Sequence, residues 1–288
     1  MKICIIGLGL IGGSFSLGLK AKRSNLIVSG VDMDPSHAIT AKSLGIIDEV
    51  TTFEEGIAQA DLVVLATPVS SMENQIGHAL DLLQENGVLI DLGSTKQRIV
   101  NAARQHVRRN RYVATHPIAG TENSGPTAAF ATLMRNKMMI LCNKEESDAD
   151  AVKMVENVFR DLEMRINYMD ATEHDRHIAY VSHLSHISSF ALGATVLDKE
   201  KDEQSIFVMA GSGFSSTVRL AKSSPNMWAP IFSQNQENVL DALDAYINKL
   251  QSFREIIANN DEEKSRKLMH DTNEIRRVLL GIEKQTNS

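Results

Sequence analysis

The sequence predicts an α/β domain with a mainly parallel sheet over residues 1–169, followed by an all-α helical domain over residues 170–288. Three observations carry this. Apolar runs at residues 2–6, 26–31, 61–66, 87–92, 112–115 and 137–142 alternate with stretches of helical periodicity, the pattern of strands covered on both faces and joined by right-handed crossovers. The first run leads straight into Gly7-Leu8-Gly9-Leu10-Ile11-Gly12. Beyond Asp170 helical periodicity continues without strand signals.

The first run and its glycines name a ligand. Gly7 allows the tight turn that ends the strand, and Gly9 lets the backbone approach a pyrophosphate. Gly12 and Gly13 let the next helix, expected over residues 14–22, pack closely and aim its amides at the phosphates. The second strand ends in Asp32, about 20 residues on, where a carboxylate meets the adenosine ribose hydroxyls. This is the Rossmann dinucleotide unit. Its expected cofactor contacts are Gly7, Leu8, Gly9, Leu10, Ile11, Gly12 and Asp32, with Thr67 and Pro68 where the strand at 61–66 stops. Met33-Asp34 follows Asp32, so a 2'-phosphate would meet two carboxylates; the expected cofactor is NAD rather than NADP.

The remaining elements follow in order. Asp34-Pro35 is an N-cap with proline at the first helical position, opening a helix to residue 44. A short segment near Val50 precedes the strand at 61–66 and a helix over 71–83. A helix starts from Thr95 after the strand at 87–92, with Ser94-Thr95-Lys96-Gln97 fitting a capping box. A helix over 148–161, a short strand at 164–166 and a capping box at Asp170-Ala171-Thr172-Glu173 complete the transition. The helical domain has long apolar faces, for example over residues 231–257, which predict a homodimer; residues after Ile282 are expected to fray.

Composition narrows the function. A chain of 288 residues, 43% hydrophobic and 23% charged, builds a large core and about two domains. The net charge of -6 and the lack of a long basic run argue against nucleic acid; Arg108-Arg109-Asn110-Arg111 reads as a solvated helix end. Cys4 and Cys142 fall in buried strands, fitting reduced thiols in the cytoplasm. Glycines interrupt the apolar N-terminus and Lys20, Lys22 and Arg23 stand where a cleavage region would, so a signal peptide is not expected, nor is a membrane span.

Three polar stations lie at strand ends on the ligand edge. Ser94 is either an N-cap or a hydroxyl aimed at substrate, and the roles are compatible. His116 precedes Pro117, which holds it extended where the chain leaves the sheet; an imidazole there is the natural base for a hydroxyl proton during hydride transfer. The third station is a histidine-rich helix with His174, His177, His183 and His186. At about 100° per residue His183 and His186 share a face while His174 points nearly opposite His183, which argues against a metal site. Ser182 and His186 share a face and could line a polar cleft together; for His174 and His177, capping or interdomain packing is as good a reading as a functional one. Arg219, after the loop at residues 211–213, is either a surface arginine or a partner for a substrate carboxylate, and Trp228 is core or pocket wall.

Taken together, these stations resemble the prephenate/arogenate dehydrogenase family of tyrosine biosynthesis. The resemblance covers nearly the whole chain and rests on residues 7–14, Asp91-Leu92-Gly93-Ser94-Thr95-Lys96, His116-Pro117-Ile118-Ala119-Gly120 with Glu122 and Gly125, His174-Asp175, Ser182-His183-Leu184-Ser185-His186, and Arg219. It implies an NAD-dependent oxidative decarboxylation that aromatises a cyclohexadiene without a metal. It assigns His116 and Ser94 to catalysis, and His186, Arg219, Ser182, Glu122 and Thr121 to the substrate. The family's usual proline is Ser185 here, and the acidic residue often found before the arginine is Ser216, which puts the orientation of Arg219 in question. No regulatory domain is recognisable, so tyrosine inhibition would act at the active site.

Three other readings stand beside this one. Arogenate differs from prephenate only by an amino in place of a keto group, and the residues do not choose between them. A hydroxyacid dehydrogenase would rely on a lysine of the helical domain, and a non-catalytic NAD sensor would need only the glycines and Asp32.

Overall fold

The computed structural model describes residues 1–201 and 205–286. Its sheet runs β3-β2-β1-β4-β5-β6-β7-β8, comprising β1 (Lys2–Ile6), β2 (Ile27–Val31), β3 (Glu49–Val50), β4 (Leu62–Leu65), β5 (Val88–Asp91), β6 (Tyr112–Pro117), β7 (Met138–Cys142) and β8 (Arg165–Met169). Pairing is parallel from β3 through β6. The order reverses between β1 and β4, which opens a crevice at the carboxyl ends of those strands. β7 runs antiparallel to β6, because residues 118–137 supply only a short 3-10 turn and no crossover helix. β8 is again parallel to β7, and the sheet is mainly rather than wholly parallel.

The helices are α1 (Leu10–Lys20), α2 (Pro35–Ser43), α3 (Phe53–Gln59), α4 (Val69–Leu82), α5 (Gln97–Arg104), α6 (Ala149–Asp161), α7 (Ala171–Ile178), α8 (Leu184–Glu200), α9 (Ser212–Val218), α10 (Pro225–Gln234), α11 (Gln236–Ala258), α12 (Glu262–Thr272) and α13 (Ile275–Thr286). Phe15, Leu19, Val155 and Phe159 of α1 and α6 cover one sheet face, and Ile57, Ile76, Leu80 and Ile99 of α3, α4 and α5 cover the other. Burial on both faces is why the strands read as continuous apolar runs. The chain packs as two compact units, Met1–Asn235 and Gln236–Ser288. Within the second unit Leu240, Ile247, Leu250 and Ile257 are exposed on α11. No helix among the described residues is long and apolar enough to cross a membrane.

Local details depart from expectation for identifiable reasons. α1 starts at Leu10, inside the glycine motif, and Gly13 faces Ala129 rather than the strand. α3 is a helix not expected from the sequence; Thr52 caps it by accepting from the Glu55 amide at 3.2 Å and donating to the Glu55 carboxylate at 3.1 Å. Arg109 and Arg111 are buried rather than solvated, donating to the Tyr112, Gly87 and Asn86 carbonyls. A guanidinium carries five donors, enough to satisfy carbonyls that no strand reaches. Cys4 and Cys142 are fully buried, and burial pushes their thiols up to about 11 and about 12. The fraying expected after Ile282 is not seen as far as Thr286, to which α13 stays helical; residues 287–288 lie outside the described residues.

Candidate active site

The nucleotide end is built by close approach. Gly7 has φ +99°, and a Cβ on Gly12 would stand 2.2 Å from the Gly7 carbonyl oxygen, so neither position accepts a side chain without displacing backbone. A Cβ on Gly9 meets nothing within 4 Å: that face is open. No side chain caps α1 and no acid sits in its first turn, so its N-terminal amides and positive dipole end suit a phosphate. Asp32 Oδ2 accepts from the Leu8 amide at 2.8 Å and Oδ1 from the Asp34 amide at 2.9 Å, which leaves a further lone pair on each oxygen for ribose hydroxyls. Thr67 donates to Gln75 Oε1 at 2.9 Å and Pro68 leads into α4 at the neighbouring strand end. Open glycine face, uncapped helix and acceptor pair together fit a dinucleotide.

His116 ends β6 on the same sheet edge and is 8% exposed. Its Nδ1 lies 2.7 Å from His174 Nε2, and His174 Nδ1 lies 2.8 Å from Asp175 Oδ1. Asp175 Oδ1 also accepts from the Lys96 amide at 2.7 Å, and its Oδ2 accepts from the Gln97 amide at 2.9 Å. The cap of α5 is therefore Asp175 from α7, not Ser94. The helix begins at Gln97, which puts Ser94 too early to reach its first amides and leaves it half-buried at the strand edge. Lys96 is itself fully buried; its ammonium meets the Asp91 carboxylate and the Thr115 carbonyl at 2.7 Å, and Asp91 also accepts from the Tyr112 hydroxyl at 2.7 Å. Burial holds the His116 imidazole well below its ordinary value, with His174, Lys96 and His183 pushing the same way. The imidazole is neutral at neutral pH.

The histidine-rich segment is not one regular helix. Ala179–His183 forms a π-helical turn between α7 and α8, and its wider turns rotate the residues after it. His183 is thereby fully buried on the side of His174, against the opposite placement a regular helix predicts. The Asn235 amide donates to the Asp175 carbonyl at 2.7 Å and lies 3.2 Å from His183 Nδ1. Burial pushes His183 down to about 4. His186 Nδ1 donates to the Ser182 carbonyl at 3.0 Å, leaving Nε2 as an acceptor, and the ring stacks on Trp228 at 3.6 Å between centroids. Burial lowers the His186 imidazole, the Ser182 bond raises it and Arg219 lowers it. Trp228 is part of the core. Its Nε1 and His183 Nε2 are buried with no hydrogen-bond partner among the described residues, as donors left for a ligand or water are.

Arg219 follows α9 and is about half exposed; its Nη1 lies 3.3 Å from Glu122 Oε2, on the loop after β6. Glu122 thus supplies the carboxylate that Ser216, whose hydroxyl donates to Gly213, does not. Thr121 accepts from the Asn123 amide at 3.2 Å. Ser182 contributes its carbonyl, and His177 stands apart, exposed near Glu173. Sequence reasoning missed Asp175, Lys96 and Asn235 as builders of this site. The His174-Asp175 dipeptide was the available signal for the first.

The chain is similar to known proteins over nearly its whole length. The prephenate dehydrogenase nucleotide-binding domain model matches residues 15–168, and the dimerization domain model of the same family matches 170–271. The chain is 32% identical to a prephenate dehydrogenase of Bacillus subtilis over 91% of its own length and 71% of that protein's. It is 32% identical to a cyclohexadienyl dehydrogenase of Zymomonas mobilis, covering 90% of this chain and 89% of the other. A crystal structure of prephenate dehydrogenase from A. aeolicus, in complex with hydroxyphenyl propionate and NAD+, superposes with a TM-score of 0.89 at 32% identity, covering 97% of this chain and 98% of that one. With a nucleotide fold, a buried histidine at the end of β6, and both family models matched in order, the chain belongs to the prephenate dehydrogenase family.

Proposed function

We propose that this chain oxidatively decarboxylates prephenate to 4-hydroxyphenylpyruvate, with NAD as the oxidant, in tyrosine biosynthesis. The carrying observation is His116: buried, held neutral and fixed by a hydrogen-bonded partner at the same sheet edge as the glycine motif, two strands removed from it. Gly7, Leu8, Gly9, Leu10, Ile11, Gly12, Thr67 and Pro68 hold the dinucleotide, and Asp32 takes its ribose hydroxyls. Bound there, NAD would supply a nicotinamide ring as hydride acceptor. His116 takes the proton of the ring hydroxyl as that hydride leaves the same carbon, and Ser94 supports the hydroxyl. The C–CO2 bond then breaks, its electron pair aromatises the ring, and the phenol oxygen regains a proton. Arg219, oriented by Glu122, holds a substrate carboxylate. His186, Ser182 and Thr121 border the ring and its side chain.

The sheet part, residues 1–169, carries the cofactor, and the helices from residue 170 carry substrate contacts and pair two copies as a homodimer in the cytoplasm. The matched dimerization domain model and the exposed apolar residues of α11 support that pairing. Kinetics with prephenate and arogenate, each with NAD and NADP, tests the assignment. Turnover of prephenate with NAD is expected to dominate, and a strong NADP preference would refute the role given to Asp32.

A further inference from the structure

We propose that His174 and Asp175 form a relay that fixes which nitrogen of His116 carries its proton, and that this relay is tied to the N-terminus of α5. The inference deepens the reading of His116 as the base and rests on it. An ionised carboxylate only accepts hydrogen bonds, so His174 Nδ1, 2.8 Å from Asp175 Oδ1, donates. A neutral His174 then presents a lone pair at Nε2. His116 Nδ1, 2.7 Å away, must supply the proton between them. That leaves His116 Nε2 bare, and Nε2 is the atom free to take the substrate proton. Orientation is fixed as well, since the two rings meet edge to face at 70° with both buried.

Asp175 is itself held from three directions. It accepts from the Lys96 and Gln97 amides, where a negative charge is favoured at the start of α5, and its own carbonyl accepts from Asn235. The relay therefore connects two strand ends, Ser94–Lys96 after β5 and His116 on β6, through one carboxylate. The charged and titratable groups that face His116 are His174 from α7, His183 from the π turn and Lys96 before α5; the last is paired with Asp91. None of these other groups is placed as a second acceptor for His116 Nδ1. His174 and Asp175 are positioning residues, acting on substrate only through His116.

The test is the tautomer itself, read on histidine-labelled protein by two-bond nitrogen–proton correlation, with His116→Gln identifying the signal. The unliganded protein is expected to show His116 protonated at Nδ1, and His174→Phe to lose that preference. His174→Gln, whose amide can donate to Asp175 and accept from His116, is expected to restore it. Turnover should drop about 10²–10⁴-fold in His174→Phe with the KM for NAD unchanged, and recover most of that in His174→Gln. A His116 signal protonated at Nε2 in the unmodified protein overturns the relay, as does a His174→Phe variant that keeps the wild-type tautomer. Because the spectrum needs no substrate, failure of the relay is distinguishable from failure of the prephenate assignment.

Discussion

Asp32→Asn is the sharpest perturbation of the cofactor end. Each oxygen of Asp32 already accepts one backbone amide, Leu8 at 2.8 Å and Asp34 at 2.9 Å, so each has a lone pair left for a ribose hydroxyl. An asparagine must turn its NH2 toward one of those amides. Donor then faces donor, and one ribose acceptor is lost. A hydrogen bond to a charged acceptor contributes about 1.5–3 kcal/mol, so NAD binding should weaken about 10- to 150-fold. The contact is remote from the reacting carbon and equally present before and during hydride transfer. The loss should therefore appear in the KM for NAD and in the dissociation constant of NADH by fluorescence, with kcat nearly intact. An unchanged KM for NAD, or a fall confined to kcat, would refute the reasoning.

The buried charges carry further expectations. His183 sits at about 4 when folded against an ordinary 6.5, so between those values the unfolded chain binds a proton that the native one does not. Stability therefore rises with pH through that window and is lost as pH falls; at pH 5 the loss is about 2 kcal/mol, and urea titrations of His183→Gln at pH 7 and pH 5 should show that difference removed. The same direction holds for His116, so kcat/KM should stay level on acidification past 6.5 and decline only well below it; an acid limb centred at or above 6.5 would contradict a buried neutral base. Lys96→Met strips the partner from Asp91 while Tyr112 and Thr115 still surround it, and a thermal or urea melt should report destabilisation of about 3–5 kcal/mol.

The order of strands and most helices were legible because each buried strand leaves an apolar run and each helix start a local signal. Asp34-Pro35 and Asp170 cap α2 and α7 as their sequences suggest. The failures share a cause: the deciding partner is distant in sequence or the backbone departs from a regular period. Nothing near Ser94 tells that α5 is capped by Asp175, across the fold from it. A wheel drawn at 3.6 residues per turn cannot place His183, because the π turn at Ala179–His183 breaks the period between it and His174. Arg109 and Arg111 look solvated as a charge run, yet they satisfy carbonyls of loops some 25 residues earlier and of their own turn. Of the site, Ser94, His116, His186 and Arg219 were readable as residues; the hydrogen bonds that make His116 a directed base were not.

The central claim is that His116 serves as the base in an NAD-dependent, decarboxylating oxidation of prephenate. Wild-type protein and His116→Asn, each given NAD and prephenate, are followed at the reduced-nicotinamide absorbance band, with NADH binding measured on both. The account predicts a rise in absorbance matched by carbon dioxide release for the wild type, and almost none for His116→Asn although its NADH affinity is kept. A flat wild-type trace with both prephenate and arogenate, or a His116→Asn variant that turns over normally, would contradict it.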